Sequence, residues 1–359
     1  MHSLKRHIFP LCISIFLLIS CTNTAVDENI PIVTKVSDSV KPLITPETNQ
    51  NLVTPLGILS HKDQLVVYDS GSVAMFVFDS NGNQQFKFGR SGEGPGEFRF
   101  IPEFWGFGDN YYLFNPSSAK IIQYDTGGNY ISESSIEASN MSYYMAAKSP
   151  RQFYIPTAGQ QNALFEFVDL DDEDAGFMIG TPVAPPSDGY DMKQVQEQVL
   201  SGQIPEMMRN QVILSSNKSG VYSFQQSNAL LQKFTHSGEL EWELDLGIPA
   251  TEGVYEQFLE ANKAIADRGQ EMVSMLQYAA KIDTTDNGVA LLLNTVDPNP
   301  VTVLWVPDDG SEIQEIQFPG LETAESRPRS FTISKEESTI YFAGTMEGIV
   351  YNSEWSGGF

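Results

Sequence analysis

GRSGEGPGEFRFIPEF, residues 89–104, could be a phosphate cradle, a flexible hinge or a structural corner, and the choice decides the fold. Its first eight residues hold four glycines and a proline, and a phenylalanine-rich run follows. A dinucleotide fingerprint needs G-x-G-x-x-G opening a helix, and a P-loop needs G-K-[ST]. Here the glycines lead into Glu97 and Phe98 and then into a strand-like run. We therefore predict a corner between two sheets, in which glycines supply unusual backbone angles and Pro95 stiffens the path.

Four other places share a turn pattern with strand-like flanks. They read FDSNGN (78–83), YDTGGN (124–129), FTHSGE (234–239) and VPDDGS (306–311), with Gly82, Gly128, Gly238 and Gly310 aligned. Glycine adopts a positive φ angle without a Cβ penalty, as tight hairpins require. Each place is predicted to be a β-hairpin tip.

The strands between these turns are nearly continuous apolar runs, such as AMFVF (74–78) and VTVLWV (301–306). Such runs indicate strands covered on both faces. Few helical segments separate them, so sheets packed on sheets around an axis, a β-propeller, are favoured. Predicted second strands begin near Gln64, Asn110, Arg151, Gly220, Gly288 and Thr339. Three of the five gaps match a blade period of about 40–50 residues.

The two longer gaps contain the convincing helical patterns. One covers residues 192–211 and is interrupted around Gly202 and Pro205; the other runs from Glu252 to about Ala280, with Thr251 as N-cap. The last unit supplies three strands, so PIVTKV (31–36) is expected to be the fourth and close the ring. The predicted fold is all-β: a single six-bladed β-propeller over residues 31–359 with two helical insertions.

The segment FKFGRSGEGPGEFRFIPEF (86–104) resembles the corner of NHL-type repeats, with its Phe-Gly pair, spaced glycines and following proline. The chain is also similar to six-bladed propeller lipoproteins and TolB-like propellers of Gram-negative bacteria. The match is good over one blade junction and weaker in the other units, which lack the glycine corner. The resemblance implies the fold and, for most such lipoproteins, no established reaction.

The N-terminus resembles a bacterial lipoprotein signal. Basic residues at 5–7 precede an apolar run of about a dozen residues, which ends in Leu18-Ile19-Ser20-Cys21. We expect residues 1–20 to be a signal peptide, Cys21 to carry palmitate-type acyl chains, and residues 21–30 to be a tether. An ordinary secretory signal is the alternative. The implied location is the bacterial outer membrane, on its periplasmic or cell-surface side.

Charge excludes one class of partner. The formal net charge is −25, and removing residues 1–20, which include Lys5 and Arg6, takes it to −27. So anionic a surface repels nucleic acid. With Cys21 acylated no disulfide can form, and only His61 and His236 remain as histidines, in separate units. No cofactor is expected.

The best cation-binding candidate is DLDDEDAG (169–176), in which Asp169, Asp171 and Glu173 alternate. An EF-hand needs glycine at the sixth and glutamate at the twelfth position, where this chain has Asp174 and Gly180. The favoured interpretation is a solvated acidic hairpin tip.

In a propeller, outer-to-inner connections and second-to-third strand loops share one face. That face would carry the glycine corner, both helical insertions and TVDPNP (295–300), and the insertions would wall a groove. Arg90, Arg99, Glu103 and Trp105 are the predicted ligand-binding residues at its mouth, where scarce arginines would orient an anionic group. The favoured alternative is that Arg90 and Arg99 simply pair with Glu93 and Glu97.

Two functions follow from these patterns. The first is a non-catalytic lipoprotein that holds a peptide, a glycan or a partner protein and reaches the membrane through its lipid. The second is a calcium-dependent hydrolase or lactonase of the six-bladed class, to which Glu103 and Asp283 would contribute ligands, although the sequence does not supply a full ligand set. Residues that fill the channel would decide between them, because fold alone does not grant activity.

Overall fold

The structure is a computed structural model that describes residues 31–37, 39–138, 142–186, 189, 191–297, 299–309, 311–321, 327–344 and 348–358. The predicted signal peptide, Cys21 and the tether lie outside these residues, as does Gly310. The described chain begins with two short strands, β1 (Ile32–Val36) and β2 (Lys41–Ile44).

Six sheets then follow, each with its first strand innermost. Blade 1 contains β3 (Pro55–His61), β4 (Gln64–Asp69), β5 (Ala74–Phe78) and β6 (Gln84–Phe88). Blade 2 contains β7 (Phe104–Phe107), β8 (Asn110–Asn115), β9 (Lys120–Asp125) and β10 (Tyr130–Ser135). Blade 3 contains β11 (Ala146–Ser149), β12 (Gln152–Pro156), β13 (Phe165–Asp169) and β14 (Phe177–Ile179).

Blade 4 contains β15 (Val212–Asn217), β16 (Gly220–Gln225), β17 (Leu230–Phe234) and β18 (Leu240–Asp245). Blade 5 contains β19 (Ala279–Thr285), β20 (Gly288–Leu293), β21 (Val301–Pro307) and β22 (Ile313–Phe318). Blade 6 contains β23 (Ser330–Ser334), β24 (Thr339–Ala343) and β25 (Val350–Glu354), with β2 as its outer strand. The six-bladed propeller predicted from the sequence is confirmed, and five of the six predicted second-strand starts agree to the residue.

The N-terminal segment closes the last blade, but not through the residues predicted. β2 pairs antiparallel with β25, and Lys41 lies opposite Asn352. The predicted segment, residues 31–36, instead adds β1 to the outer edge of blade 5, parallel to β22. Closure therefore uses a strand ten residues further along the chain than expected. On the inner side, β23 contacts β3 and completes the ring.

The core is divided into six apolar clusters, one for each pair of neighbouring blades. All residues of β5 and β21 are buried, as the continuous apolar runs predicted. Each face of a blade packs on the next blade, which is why these strands do not alternate with polar residues. The hairpin glycines Gly82, Gly128 and Gly238 have φ angles of 80°, 82° and 87°, so these turns form as predicted.

The α-helices among the described residues are α1 (Met192–Leu200), α2 (Glu206–Arg209) and α3 (Val254–Asp267). The break between α1 and α2 is as predicted. The second helix is shorter than predicted: it begins after Gly253 rather than Thr251, and Gly269, with φ 70°, follows its end. The Thr251 hydroxyl instead donates to the carbonyl oxygens of Leu246 and Ile248. None of these helices, in the described ranges, is long and apolar enough to cross a bilayer.

Candidate functional site

The glycine corner that connects blades 1 and 2 is a packing element. Phe98 is fully buried in the cluster between these blades. A Cβ atom on Gly89, which has φ 72°, would lie 2.3 Å from Cε1 of the Phe98 ring. Glycine is needed here because the ring and the backbone approach each other so closely. The stretch therefore acts as the corner predicted from the sequence.

Arg90 and Arg99 are held in local ion pairs on this corner. An Nη2 atom of Arg90 lies 2.6 Å from Glu97, and one of Arg99 lies 2.5 Å from Glu93. The Gly94 amide donates to the Glu97 carboxylate, and this bond together with Arg90 lowers the pKa of Glu97. Both arginine side chains are more than 60% exposed. The alternative interpretation weighed above, local pairing with Glu93 and Glu97, describes their geometry.

The innermost strands of all six blades enclose a cavity of about 110 Å³, here called the channel. Glu103, which immediately precedes β7, forms an ion pair with Lys281 of β19 in this wall. Asp283 follows two residues later on β19 and also lines the channel. Successive side chains on a strand alternate between faces, so Lys281 and Asp283 project the same way. Glu103 and Asp283, considered above as possible calcium ligands, thus both line the channel, with the Lys281 ammonium group beside them.

Burial dominates the electrostatics of this triad. Desolvation raises the pKa of Asp283 to about 6, against the opposing effect of Lys281. Desolvation also raises the pKa of Glu103, although the Lys281 ammonium acts to lower it. These three are the titratable groups among the described residues that line the channel, and with both carboxylates ionised they sum to one negative charge. A carboxylate in such a setting gains from any nearby cation.

Above the channel, on the face of the outer-to-inner connections, the ring opens into a cavity of about 750 Å³, here called the funnel. Its wall comes from connections near the inner strands: Leu56, Phe100, Ile101, Pro102, Tyr143, Tyr144, Gln277, Asn294, Arg327, Pro328, Arg329 and Gly344. Glu103 and Lys281 line both cavities and form the boundary between them. The funnel therefore has an ion pair as its floor.

The helical insertions do not wall this groove as predicted. α1, α2 and α3 pack on each other through a cluster that includes Val199, Met208 and Phe258. The Tyr255 hydroxyl donates to the Gly202 carbonyl oxygen and joins the two insertions. From the second insertion it is Gln277, beyond α3, that reaches the funnel wall. The helices thus support one side of the face and leave the opening to the shorter connections.

Two arginines that were not predicted lie at the funnel rim, on the connection between blades 5 and 6. An Nη2 atom of Arg327 donates to the carbonyl oxygen and the hydroxyl of Thr295, at 3.1 and 3.3 Å. Burial, followed by the proximity of Arg329, lowers the pKa of Arg327. Arg329 is exposed, and among the described residues neither guanidinium makes an ion pair with a carboxylate. Two like charges are held together here, and the described residues place no carboxylate between them.

Aromatic rings face these arginines across the opening. Phe100 belongs to the connection between blades 1 and 2, and Tyr143 to that between blades 2 and 3. Their rings meet edge to face with centroids 5.7 Å apart, and Tyr143 is 58% exposed. In a ring of six, the junction of blades 2 and 3 lies opposite that of blades 5 and 6. The funnel is consequently aromatic on one side and cationic on the other.

Of the predicted ligand-binding residues, the structure places Glu103 in the funnel floor. Trp105 lies lower, in the channel wall, where its ring contacts Phe153 at a centroid distance of 5.7 Å. The prediction missed Lys281, Arg327 and Arg329. Two features of the sequence could have revealed them. One is a lysine two residues before an aspartate within an inner strand, and the other is an Arg-Pro-Arg triplet in a chain poor in arginine.

The acidic segment DLDDEDAG forms the turn between β13 and β14. Asp171 makes an ion pair with Arg151, and Asp169 accepts a hydrogen bond from the side chain of Gln152. The Asp172 carboxylate accepts from the Asp174 amide. These contacts match the acidic hairpin tip favoured from the sequence. In the described ranges, no three carboxylate, histidine or cysteine side chains cluster in a way that suits a metal ion.

Comparisons with known proteins agree on the fold. A family model described as a 6-bladed beta-propeller, DUF5128, matches residues 35–174. No curated protein matches the chain. A solved structure from Bacteroides fragilis, of a protein classed as exported, is 11% identical with a TM-score of 0.54 and covers 90% of this chain and 98% of its own.

Two further solved structures are similar. A protein of unknown function from Bacteroides thetaiotaomicron is 11% identical with a TM-score of 0.53, over 88% of this chain and 75% of its own. A member of the duf4221 family from Bacteroides vulgatus is 10% identical with a TM-score of 0.53, over 88% of this chain and 96% of its own. At such identities the likeness concerns the fold alone. It confirms the predicted resemblance to bacterial six-bladed propellers, and the finer likeness to NHL-type and TolB-like proteins stays a prediction.

Proposed function

We propose that the protein is an extracytoplasmic lipoprotein, anchored through Cys21, that binds a ligand in the funnel without transforming it. The funnel is the observation on which this proposal rests. Its volume of about 750 Å³ lies within the range of about 300–1,000 Å³ that is usual for small-ligand sites. It combines aromatic surface with a few polar and charged groups, as such sites do.

Lys281 argues for binding rather than metal-dependent hydrolysis. Six-bladed hydrolases of the resembling class would need a cation held by carboxylates in the channel. In this chain an ammonium group already lies beside Glu103 and Asp283, where a cation would sit. A metal ion would have to displace Lys281 and leave its charge buried and unpaired, which is costly. Calcium-dependent hydrolysis remains the second candidate, to be decided by experiment.

The entry of the chain into the fold supports a particular orientation on the membrane. β1 runs parallel to β22, and the Ile313 amide donates to the Pro31 carbonyl oxygen at 3.2 Å. Residue 31 therefore lies at the turn that precedes β22, on the face opposite the funnel. A tether of residues 22–30 spans at most about 30 Å when extended. The proposed lipid would then hold the opposite face towards the bilayer and leave the funnel open.

Anchoring is tested by replacing the acylated residue. Cells that produce the wild-type protein or Cys21→Ser are labelled with a palmitate analogue and separated into membrane and soluble fractions. We expect label and membrane association in the wild type and loss of both in the variant, with Cys12→Ser as the matched control. Unlabelled wild-type protein would contradict the lipid anchor.

Binding and catalysis are separated by calcium calorimetry on the full-length protein in detergent. We expect no stoichiometric uptake of calcium by the wild type. If calcium binds with one-to-one stoichiometry and Asp283→Asn abolishes it, the hydrolase is the better assignment. For the funnel, a thermal-shift panel of sugars and peptides is compared between the wild type and Tyr143→Ala. Ligand-induced shifts that Tyr143→Ala leaves untouched would refute funnel binding.

A further inference from the structure

The funnel rim carries two positive charges that no described carboxylate pairs with. Arg327 and Arg329 flank Pro328, whose ring restricts the backbone between them, so the two guanidinium groups are held on the same rim. Like charges at short range repel, and burial of Arg327 weakens the screening by water. In the floor, Glu103 and Lys281 neutralise each other, and the remaining carboxylate, Asp283, lies below them in the channel. An anion between the arginines would remove this repulsion.

A carboxylate is an anion that suits this geometry. A guanidinium offers paired N–H donors that match the two oxygens of a carboxylate. One guanidinium nitrogen of Arg327 already donates hydrogen bonds to Thr295, which fixes the direction of its remaining donors. The Arg329 side chain is exposed, and no described residue makes a hydrogen bond to its guanidinium. The pair forms one fixed and one adaptable contact.

The remaining funnel surface suits hydroxyl groups. Asn294 donates its amide to the Gln277 carbonyl oxygen, which leaves the Asn294 oxygen as an acceptor. In the part of the chain that the structure describes, the Gln277 amide and the hydroxyls of Tyr143 and Tyr144 make no hydrogen bond to protein. Amide and phenol groups both donate and accept, as sugar hydroxyls do. The faces of Phe100 and Tyr143 offer apolar surface to the C–H face of a sugar ring.

We propose that the ligand of the funnel is an acidic oligosaccharide, whose carboxylate binds Arg327 and Arg329 and whose neighbouring ring packs on Tyr143 and Phe100. This proposal rests on the proposed function and specifies its ligand. Acidic peptides would satisfy the arginines, but they offer fewer hydroxyl groups to the amide and phenol side chains. The cavity has room for more than the single ring that carries the carboxylate.

Calorimetry with a short oligogalacturonate tests the proposal on the full-length protein in detergent. The comparison ligands are the methyl ester of the same oligosaccharide, which lacks the charge, and a peptide of consecutive glutamates. We expect the acid to bind at least tenfold more tightly than its ester, and the peptide to bind weakly or not at all. High salt should reduce this preference, because Arg329 is exposed.

Variants assign the contacts. Arg329→Gln should lose at least tenfold in affinity for the acid and little for the ester. Arg90→Gln, an exposed arginine in a local ion pair on the glycine corner, is the matched control and should change neither. Tyr143→Ala should weaken acid and ester by similar factors. All three substituted side chains are exposed, so these changes leave the folded core intact.

Several outcomes would overturn the acidic-sugar assignment. They are equal affinity for acid and ester, unchanged binding by Arg329→Gln, tighter binding of the peptide than of the sugar, and no saturable binding of any uronate. Funnel binding itself survives the first three outcomes if Tyr143→Ala still weakens whichever ligand binds. A ligand whose affinity ignores both Tyr143 and Arg329 would remove the proposed function as well.

Discussion

Asp283→Asn removes a buried negative charge from the channel and should stabilise the protein at neutral pH. The wild-type channel contains two carboxylates and one ammonium group among its described lining residues. The variant keeps the Glu103–Lys281 ion pair and brings the net charge of this group to zero. The asparagine oxygen can still accept the hydrogen bond from the Thr284 amide, which is 2.9 Å in the wild type.

The magnitude follows from the pKa of Asp283, which burial raises from 3.8 to about 6. The folded state then binds the proton more tightly than the unfolded state. The free energy of unfolding therefore falls as the pH rises from about 4 to about 6 and is level above that. About two pKa units at about 1.36 kcal/mol each give about 3 kcal/mol. Because the carboxyl borders a cavity, this is an upper bound.

Urea denaturation of wild type and variant across this pH range is the assay. We expect Asp283→Asn to be more stable by up to about 3 kcal/mol near pH 7.5, and the difference to vanish near pH 4. Asp125→Asn is the control, and it should lower the stability near pH 7.5 instead of raising it, because hydrogen bonds from Asn129 lower the pKa of Asp125. A stability difference that is absent at neutral pH, or that persists unchanged into acid, would refute the claim that the channel desolvates this carboxyl.

Three further predictions concern the fold. Lys281→Met should lower the free energy of unfolding by about 3–5 kcal/mol, because it leaves Glu103 buried and unpaired. Adding Glu103→Gln should restore most of that stability. An equal loss of stability in the double variant would argue against the pairing. Ile44→Ala, at a fully buried position of β2, should cost about 2–4 kcal/mol, whereas Val33→Ala on β1 should cost less than about 1 kcal/mol. If the same urea titration showed a larger loss of stability for Val33→Ala than for Ile44→Ala, β1 rather than β2 would be the strand that closes the ring. Gly128→Ala should lower the melting temperature, because φ is 82° and the new Cβ would meet two phenylalanine side chains at 2.9 Å.

The blade framework could be predicted because its signals are local. A hairpin tip with glycine at a positive φ angle, and a run such as AMFVF, each report their own structure within a few residues. The ring closure was misassigned because both N-terminal segments are short and strand-like. The choice between them depends on pairing with residues 350–354, far along the chain.

The candidate site was only partly predictable, for the same physical reason. Each blade contributes three or four residues to the channel wall, so residues that meet near the axis are separated by whole blades. Glu103 and Lys281 are 178 positions apart. The prediction of a helix up to residue 280 failed differently: residues 270–278 keep apolar spacing but form an irregular segment beyond Gly269, and spacing alone does not reveal that break.

The parallel pairing of β1 has a mechanical consequence. A pull on the N-terminus would act along β1, at right angles to its hydrogen bonds with β22, so the bonds would share the load instead of breaking one after another. Behind β1, the hydroxyls of Ser37 and Ser39 bond to that of Ser353 at 2.8 and 2.9 Å and secure the link to β2. The tension would thus act on β1, which is not needed to close the ring. The ring would remain closed even if β1 detached from β22.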